Sequence, residues 1–311
     1  MSRALLVLTV AAGCYSPSVH EGAACSNSGA CPAGQHCYGG TCMTHPPGDG
    51  DAAIDVPIDV AGTIDGSIDG PPLDAFVSPV WLAPTPIPGV NTSGNESDPC
   101  VSADQLTIVF ERNSDLYIGT RATKTSAFTV SPLTPLNSPT EDVSPELAGN
   151  GTAIYFTSDR LTPGSSDVYR SVFSGGVWQA PTLEVALSDP ALDDGDLGIS
   201  PNGLTAFVAR AGTLLKSTRP TTASAWSTPV STGTAWGSSA AAPSINSAGD
   251  VYLHATNPRN LFVSRKTGNN YPTPIAITEL NGITRDAAPG VSADDLVLWF
   301  ERDGDLFETH R

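Results

Sequence analysis

The chain has 311 residues, a formal net charge of −17 and a pI near 4.4. A field of that sign repels nucleic acid and anionic lipid headgroups, so nucleic-acid binding is excluded. Past the first fourteen residues, no stretch is long and apolar enough for a transmembrane helix.

At the N-terminus, Arg3 is a short basic segment, and Ala4–Val10 is an apolar run too short to span a bilayer. Ala11, Ala12 and Gly13 then lead into Cys14. This segment resembles a bacterial lipoprotein signal. The resemblance implies that residues 1–13 are removed and that Cys14 is lipidated. The protein is then exported and lipid-anchored to the cell envelope, at the outer membrane on its periplasmic or surface side, and the lipid is its one membrane contact. Residues 14–44 hold Cys25, Cys31, Cys37 and Cys42 in a Gly-rich cluster. An even number of cysteines at tight spacing in an oxidising compartment predicts two disulfides of open connectivity. A zinc site lacks its Cys-x-x-Cys pairs. Residues 45–80 contain seven Asp and no Lys or Arg, with Pro and Gly throughout. They are expected to form a disordered, self-repelling acidic linker. Their spacing does not match an EF-hand calcium loop.

From residue 81 the composition shifts to Ser, Thr, Val, Trp and Pro, and one phrase recurs. Its anchor falls at Ser102, Ala148, Ser200, Asn246 and Ser292, at spacings of 46, 52, 46 and 46. Each anchor is followed by a turn sequence, read as a two-residue hairpin, and then by two strands. The first strands are expected at Leu106–Phe110, Ala153–Phe156, Leu204–Val208, Val251–Leu253 and Leu296–Phe300. The second are expected at Asp115–Ile118, Asp167–Val172, Thr213–Lys216, Asn260–Val263 and Asp305–Phe307. They are apolar on both faces, which predicts sheets stacked between sheets. The six extra residues of the 52 spacing are expected to lengthen one hairpin loop. Upstream of the anchors, an aromatic with Pro three residues later (Trp81/Pro84, Trp178/Pro181, Trp226/Pro229, Tyr271/Pro274) marks an outermost strand, and Phe128/Pro132 is a looser copy. Cys100 falls in an apolar strand pattern and is expected to be a buried thiol.

Four strands per 46 residues, repeated, is a propeller signature. The phrases Pro99…Ser102-Ala-Asp104, Asp159-Arg160, Asp167-Val-Tyr169 and Pro289…Ser292-Ala-Asp294 resemble the TolB-type, WD40-like propeller repeat across residues 81–311. Five copies are counted where the TolB propeller has six blades. The fourth copy lacks the acidic residue and the Arg. The expected architecture is all-β: a five-bladed β-propeller of four-stranded blades, preceded by a small Cys-rich module and the acidic linker. Residues 81–90 supply the missing outer strand of the fifth blade. This blade phase puts Trp81 and Arg311 on the face opposite the acids described next.

Six residues before the anchors stand Glu96, Asp142, Asp194 and Asp286, with Ala240 in the fourth copy. Arg112, Arg160, Arg210 and Arg302 lie on loops of the same face. Such a ring suits a cation such as calcium, a sugar or a partner's basic tip, or the acids and Arg residues simply pair with one another. Trp236 offers a stacking platform or packing. No metal or other cofactor is required by any motif. The expected role is a monomeric binding or scaffolding module for an envelope protein or glycan. The alternative is a five-bladed glycoside hydrolase that uses carboxylates of the acidic face.

Overall fold

A strand that is apolar on both faces stays dry only when sheets cover it on both sides, and the repeat satisfies this by forming a ring. A computed structural model describes residues 36–38, 41–43, 80–148, 151–236, 240–256 and 259–311. Residues 1–13, Cys14, Cys25, Cys31 and the linker up to residue 79 lie outside the described residues. The chain divides into two units, Met1–Leu73 and Asp74–Arg311. In the first, His36–Tyr38 and Thr41–Met43 pair antiparallel, with Cys37 opposite Cys42.

The second unit is a five-bladed β-propeller with strands a to d running outward in each blade. Blade I is Glu96–Val101, Thr107–Arg112, Asp115–Thr120 and Thr129–Pro132. Blade II is Asp142–Leu147, Ala153–Thr162, Ser165–Ser174 and Thr182–Leu183, with Val177–Trp178 added beside the end of its strand c. Blade III is Asp194–Ile199, Thr205–Arg210, Thr213–Thr218 and Val230–Ser231. Blade IV is Ala240–Ile245, Val251–Thr256, Arg259–Ser264 and Ile275–Ala276. Blade V is Asp286–Val291, Val297–Arg302 and Asp305–His310, and its strand d is Thr85–Pro86 from the start of the unit. Leu82 N–H donates to His310 O (2.8 Å), and Arg311 stacks over Trp81 at 4.4 Å. The ring therefore closes by joining its two chain ends, which removes the open sheet edges.

Five apolar clusters, one between each pair of neighbouring blades, form the core. In blade V, Leu298 and Phe300 pack toward blade IV, and Val297 and Trp299 toward blade I. Each such side chain contributes about 1.5–3 kcal/mol when fully buried. The inner strands approach so closely that a Cβ on Gly198 would lie 1.9 Å from Pro243 O, and one on Gly290 2.1 Å from Pro99 O.

Three local expectations are corrected. The six extra residues of the second repeat lengthen strands, not a loop: b and c of blade II run ten residues each, where those of the other blades run six. Ladder hydrogen bonds satisfy backbone groups that a loop would leave to water. The two-residue turns join b to c, not a to b. Asn113-Ser114, Ala211-Gly212 and Asp303-Gly304 all have positive φ, as a type I′ turn requires. The a–b turn is longer and is fastened by the anchor itself: Ser102 Oγ accepts from Thr107 N–H (2.9 Å) and donates to Asp104 (2.6 Å). Lastly, four outer strands begin just after the marker proline, while that of blade I ends on Pro132. The aromatics Trp81, Phe128, Trp226 and Tyr271 precede them and are buried between blades.

Candidate functional site: the mouth of the central channel

Strand register places each acid of the predicted ring at the first position of its strand a, paired with the Arg that ends strand b: Glu96 with Arg112, Asp194 with Arg210, Asp286 with Arg302. Asp142 and Arg160 meet likewise through their side chains. The separations are 2.7 Å for Glu96–Arg112, 2.5 Å for Asp194–Arg210 and 2.7 Å for Asp286–Arg302. All four carboxylates are 0% exposed. Their second oxygens accept from the d–a loop, as in Thr92 N–H to Glu96 and Asp189 N–H to Asp194 (2.6 Å). Each Arg also donates to the carbonyl of that loop, at Val90, Leu136, Leu187 and Leu280. Arg112, Arg160 and Arg302 lie over the aromatic pairs of their own hairpins. The eight residues thus form four clasps that pin a loop to two strands. Burial pushes the Asp194 carboxyl up from its ordinary value, against the pull of Arg210 and the Asp189 amide. Trp236 is 5% exposed and packs on Phe207 and Tyr271, with ring centroids 5.6 and 5.8 Å away.

Each strand a carries a register shift just below the clasp position. Bulges of this kind re-aim side chains. Asp98, Ser144, Ala242 and Ala288 take positive φ there, and with Asp196 they form one tier around the channel. The b-strand residues Glu111, His254 and Glu301 stand opposite Ser97, Ala241 and Ala287 and line the mouth above. The mouth is a cavity of about 640 Å³ lined by Asp98, Glu111, Asp196, Glu301, His254 and Arg259, among others. Below it the channel narrows to about 20 Å³ among Pro99, Pro145, Pro243 and Pro289, room for one water molecule. Beyond this waist, on the a–b turn side, a cavity of about 100 Å³ holds Cys100 and Glu146. The mouth is therefore a blind pocket.

Its polar groups are tied into a network. Asp196 accepts from Ser144 Oγ (2.7 Å) and Ala242 N–H (2.8 Å). Glu301 accepts from Ser97 Oγ (3.2 Å) and Arg259 (3.4 Å). Asp98 and Glu111 stand close enough to share a proton. Burial pushes Asp98 well above its ordinary value, and the charges of Asp196, Glu111 and Glu301 add to this. Burial raises Glu111 too. His254 accepts from Ala288 N–H at Nδ1 (3.2 Å), so its proton sits on Nε2. Burial lowers its pKa to about 4, with Arg259 adding to the drop and Asp196 opposing it. Across the waist, burial raises Glu146 to about 7 and pushes the Cys100 thiol up. Cys100 is a free cysteine, and its Sγ accepts from Leu147 N–H. Among the described residues, no group of three or more His, Cys, Asp or Glu is spaced to hold a metal ion.

The residues of the mouth carry a signal that the repeat pattern hides. At the third position of strand a the five blades have Asp98, Ser144, Asp196, Ala242 and Ala288. Aligned copies that agree at the clasp disagree here. A second repeated device also stands in the sequence. An Arg follows strand c and lies over an aromatic seven residues on: Arg121 over Phe128 at 4.3 Å and Arg219 over Trp226 at 4.0 Å. Arg311 does the same to Trp81 across the closure, and each of these Arg residues donates through Nε to an a–b turn carbonyl.

No protein-family model matches the chain, and no curated protein matches it. Among solved structures it is similar to TolB from Acinetobacter baumannii, at 15% identity over 71% of this chain and 55% of that one, with a TM-score of 0.43. It is similar also to the catalytic domain of the Coprinopsis cinerea GH62 α-L-arabinofuranosidase, at 11% identity over 74% and 96%, with a TM-score of 0.49. A gluconolactonase from Xanthomonas campestris follows at 14% identity over 69% and 71%, with a TM-score of 0.44. At such identities the likeness extends to the propeller fold and no further.

Proposed function

We propose that the protein is a monomeric envelope-anchored binding module, held through lipid on Cys14, that takes a ligand from an envelope partner into the mouth of its propeller. The observation that carries this reading is the blind pocket whose lining breaks the repeat. Repetition accounts for the clasps, because every blade needs its loop fastened. It does not account for Asp98 and Asp196 at a position where other blades have Ala or Ser, nor for His254 at one where two blades have Glu111 and Glu301 and another Thr157. The four clasps frame the pocket and hold its walls. The face carrying the mouth is the one away from Trp81 and Arg311. In blade V, Asp286, Arg302 and Asp305 stand at one end of the sheet, while Val297 and His310 stand at the other. A chain tethered ahead of Trp81 therefore presents the mouth away from its anchor side.

The test is ligand binding by the full chain, read as a thermal shift against envelope glycans, peptides and small amines. The expected result is a stabilising ligand that is not consumed and whose effect is lost in Asp98→Asn/Asp196→Asn. The absence of any such ligand would end the reading. The anchor is tested separately: Cys14→Ala should release the protein from the membrane fraction.

One observation favours a second reading, glycoside hydrolysis. Asp98, pushed up by burial beside Glu111, is a candidate general acid, and Asp196 is a candidate base. Turnover of aryl glycosides that Asp98→Asn abolishes would establish it in place of the first.

A further inference from the structure

Resting on the binding reading above, we propose that the group the mouth receives is the free α-amine of a peptide chain, an ammonium with a carbonyl oxygen on the neighbouring carbon. Three features of the pocket lead there. First, its walls are rich in acceptors. Asp98, Glu111, Asp196 and Glu301 supply four carboxyl groups; of the two guanidinium groups in the lining, Arg259 is already engaged by Glu301 and Arg285 is exposed. An ammonium brings three donors and no acceptor, the complement of such a wall.

Second, His254 adds a directed donor. It is 6% exposed, and Ala288 N–H fixes its proton on Nε2. That nitrogen has no partner among the described residues, and the side chain lines the pocket. Open to the mouth, it is free to donate to an acceptor oxygen that a ligand brings. A simple alkylamine has none, whereas the first carbonyl of a peptide provides one beside its ammonium.

Third, the waist below the pocket admits no more than a water molecule. The pocket therefore takes a chain terminus and not a threaded segment. Among the described residues its lining contains no Phe, Tyr or Trp on which the apolar face of a sugar could stack. A bound ammonium would displace a proton shared by Asp98 and Glu111, and that proton would leave to buffer.

The experiment is calorimetric titration of the full chain near neutral pH with glycinamide as the probe. The comparison probes are N-acetylglycinamide, n-propylamine, glucosamine and glucose. Saturable glycinamide binding is expected, with both N-acetylglycinamide and n-propylamine weaker by about tenfold or more. The binding enthalpy should change with the ionisation enthalpy of the buffer, reporting proton release, and Asp98→Asn should remove that dependence. His254→Leu should bring glycinamide down to the level of n-propylamine. His254→Gln, which can accept from Ala288 N–H and still donate, should restore it, and melting curves confirm that both variants fold. Glycinamide binding no tighter than that of N-acetylglycinamide overturns the proposal. So does glucosamine binding as tightly as glycinamide, which would transfer the site to amino sugars. If glucose binds and glycinamide does not, the amine assignment falls while the binding reading stands. If no probe and no envelope ligand binds, both fall together.

Discussion

The clasps and the channel mouth lie within the same turn of each blade, yet they use charge in opposite ways. In a clasp every carboxylate oxygen meets a donor, an Arg neutralises it, and the arrangement recurs in four blades. In the mouth, Asp98, Glu111, Asp196 and Glu301 face the engaged guanidinium of Arg259, the exposed one of Arg285 and one neutral imidazole, and no two blades contribute the same set. The first arrangement satisfies its own groups and fastens the fold. The second leaves Asp98, Glu111 and Asp196 with no Arg hydrogen-bonded to them and His254 Nε2 with no partner among the described residues, and these are what a ligand can meet. Repetition of a charged residue in a propeller therefore points to scaffold, and its interruption points to function.

The comparison breaks first at the ring itself. A chain beginning at residue 95 lacks Trp81, Ile87 and Val90, all core residues at the blade V boundary, together with strand d of that blade. A single buried aromatic removed costs about 3–5 kcal/mol, so this deletion should cost more than about 5 kcal/mol and expose a sheet edge. Equal melting temperatures for this chain and one beginning at residue 78 would show that closure is not what holds the clasps in place. Next comes Asp194→Ala. It leaves Arg210, 9% exposed, without its main partner, and should cost about 3–5 kcal/mol by chemical denaturation. A loss under about 1 kcal/mol would reduce the clasps to surface ion pairs.

The fold was legible because its determinants repeat. The spacing of Ser102, Ser200 and Ser292 exposed the a–b turns, and the strand pattern of residues 296–300 announced burial on both faces. Even the closing strand followed from counting. Strand ends were harder to place: Arg112, Arg210 and Arg302 belong to strand b, because clasp pairing extends the ladder past the apolar run. Looking for recurrence led to the acids that recur and passed over Asp98, Asp196 and His254, which do not. The bulge that turns Asp98 into the channel comes from positive φ ahead of a proline and recurs at Ser144, Ala242 and Ala288, so it is the side chain placed there and not the backbone that departs from the repeat. The role of Trp236 likewise depended on partners, Phe207 and Tyr271, that only the fold brings near.

Below the waist, a third prediction sharpens the contrast through pH. Glu146 accepts from Ile199 N–H, and the Cys100 thiol is the titratable group that touches it. Its folded pKa of about 7 exceeds the ordinary 4.5, so the folded state holds a proton that the unfolded state releases between those values. The stability this contributes is complete below the unfolded pKa and is lost as pH rises through 7. At about 1.4 kcal/mol per unit, the buried charge costs ~3 kcal/mol in alkaline solution. Glu146→Gln should therefore be close to neutral at acidic pH and stabilising above pH 8. Parallel stability–pH curves for the two proteins would place Glu146 in water.

The smallest expected effect tests the mouth most directly. Asp98 is pushed up by burial and by the charges of Asp196, Glu111 and Glu301 around it. The sign follows as for Glu146: the folded state keeps the proton, and what it contributes fades as pH rises. Asn has the same shape, donates to Glu111 without needing a proton, and carries no charge to bury. Asp98→Asn should therefore leave stability unchanged or raise it by about 1 kcal/mol at neutral pH, the ordinary scale of a single substitution but opposite in sign to most. The gain should grow toward alkaline pH. Asp194→Ala and Asp98→Asn thus alter acids near the same channel mouth with opposite results, because one acid is answered by the fold and the other is not. If Asp98→Asn instead destabilised the protein as Asp194→Ala does, Asp98 would be another clasp, and the mouth would have no group left over for a ligand.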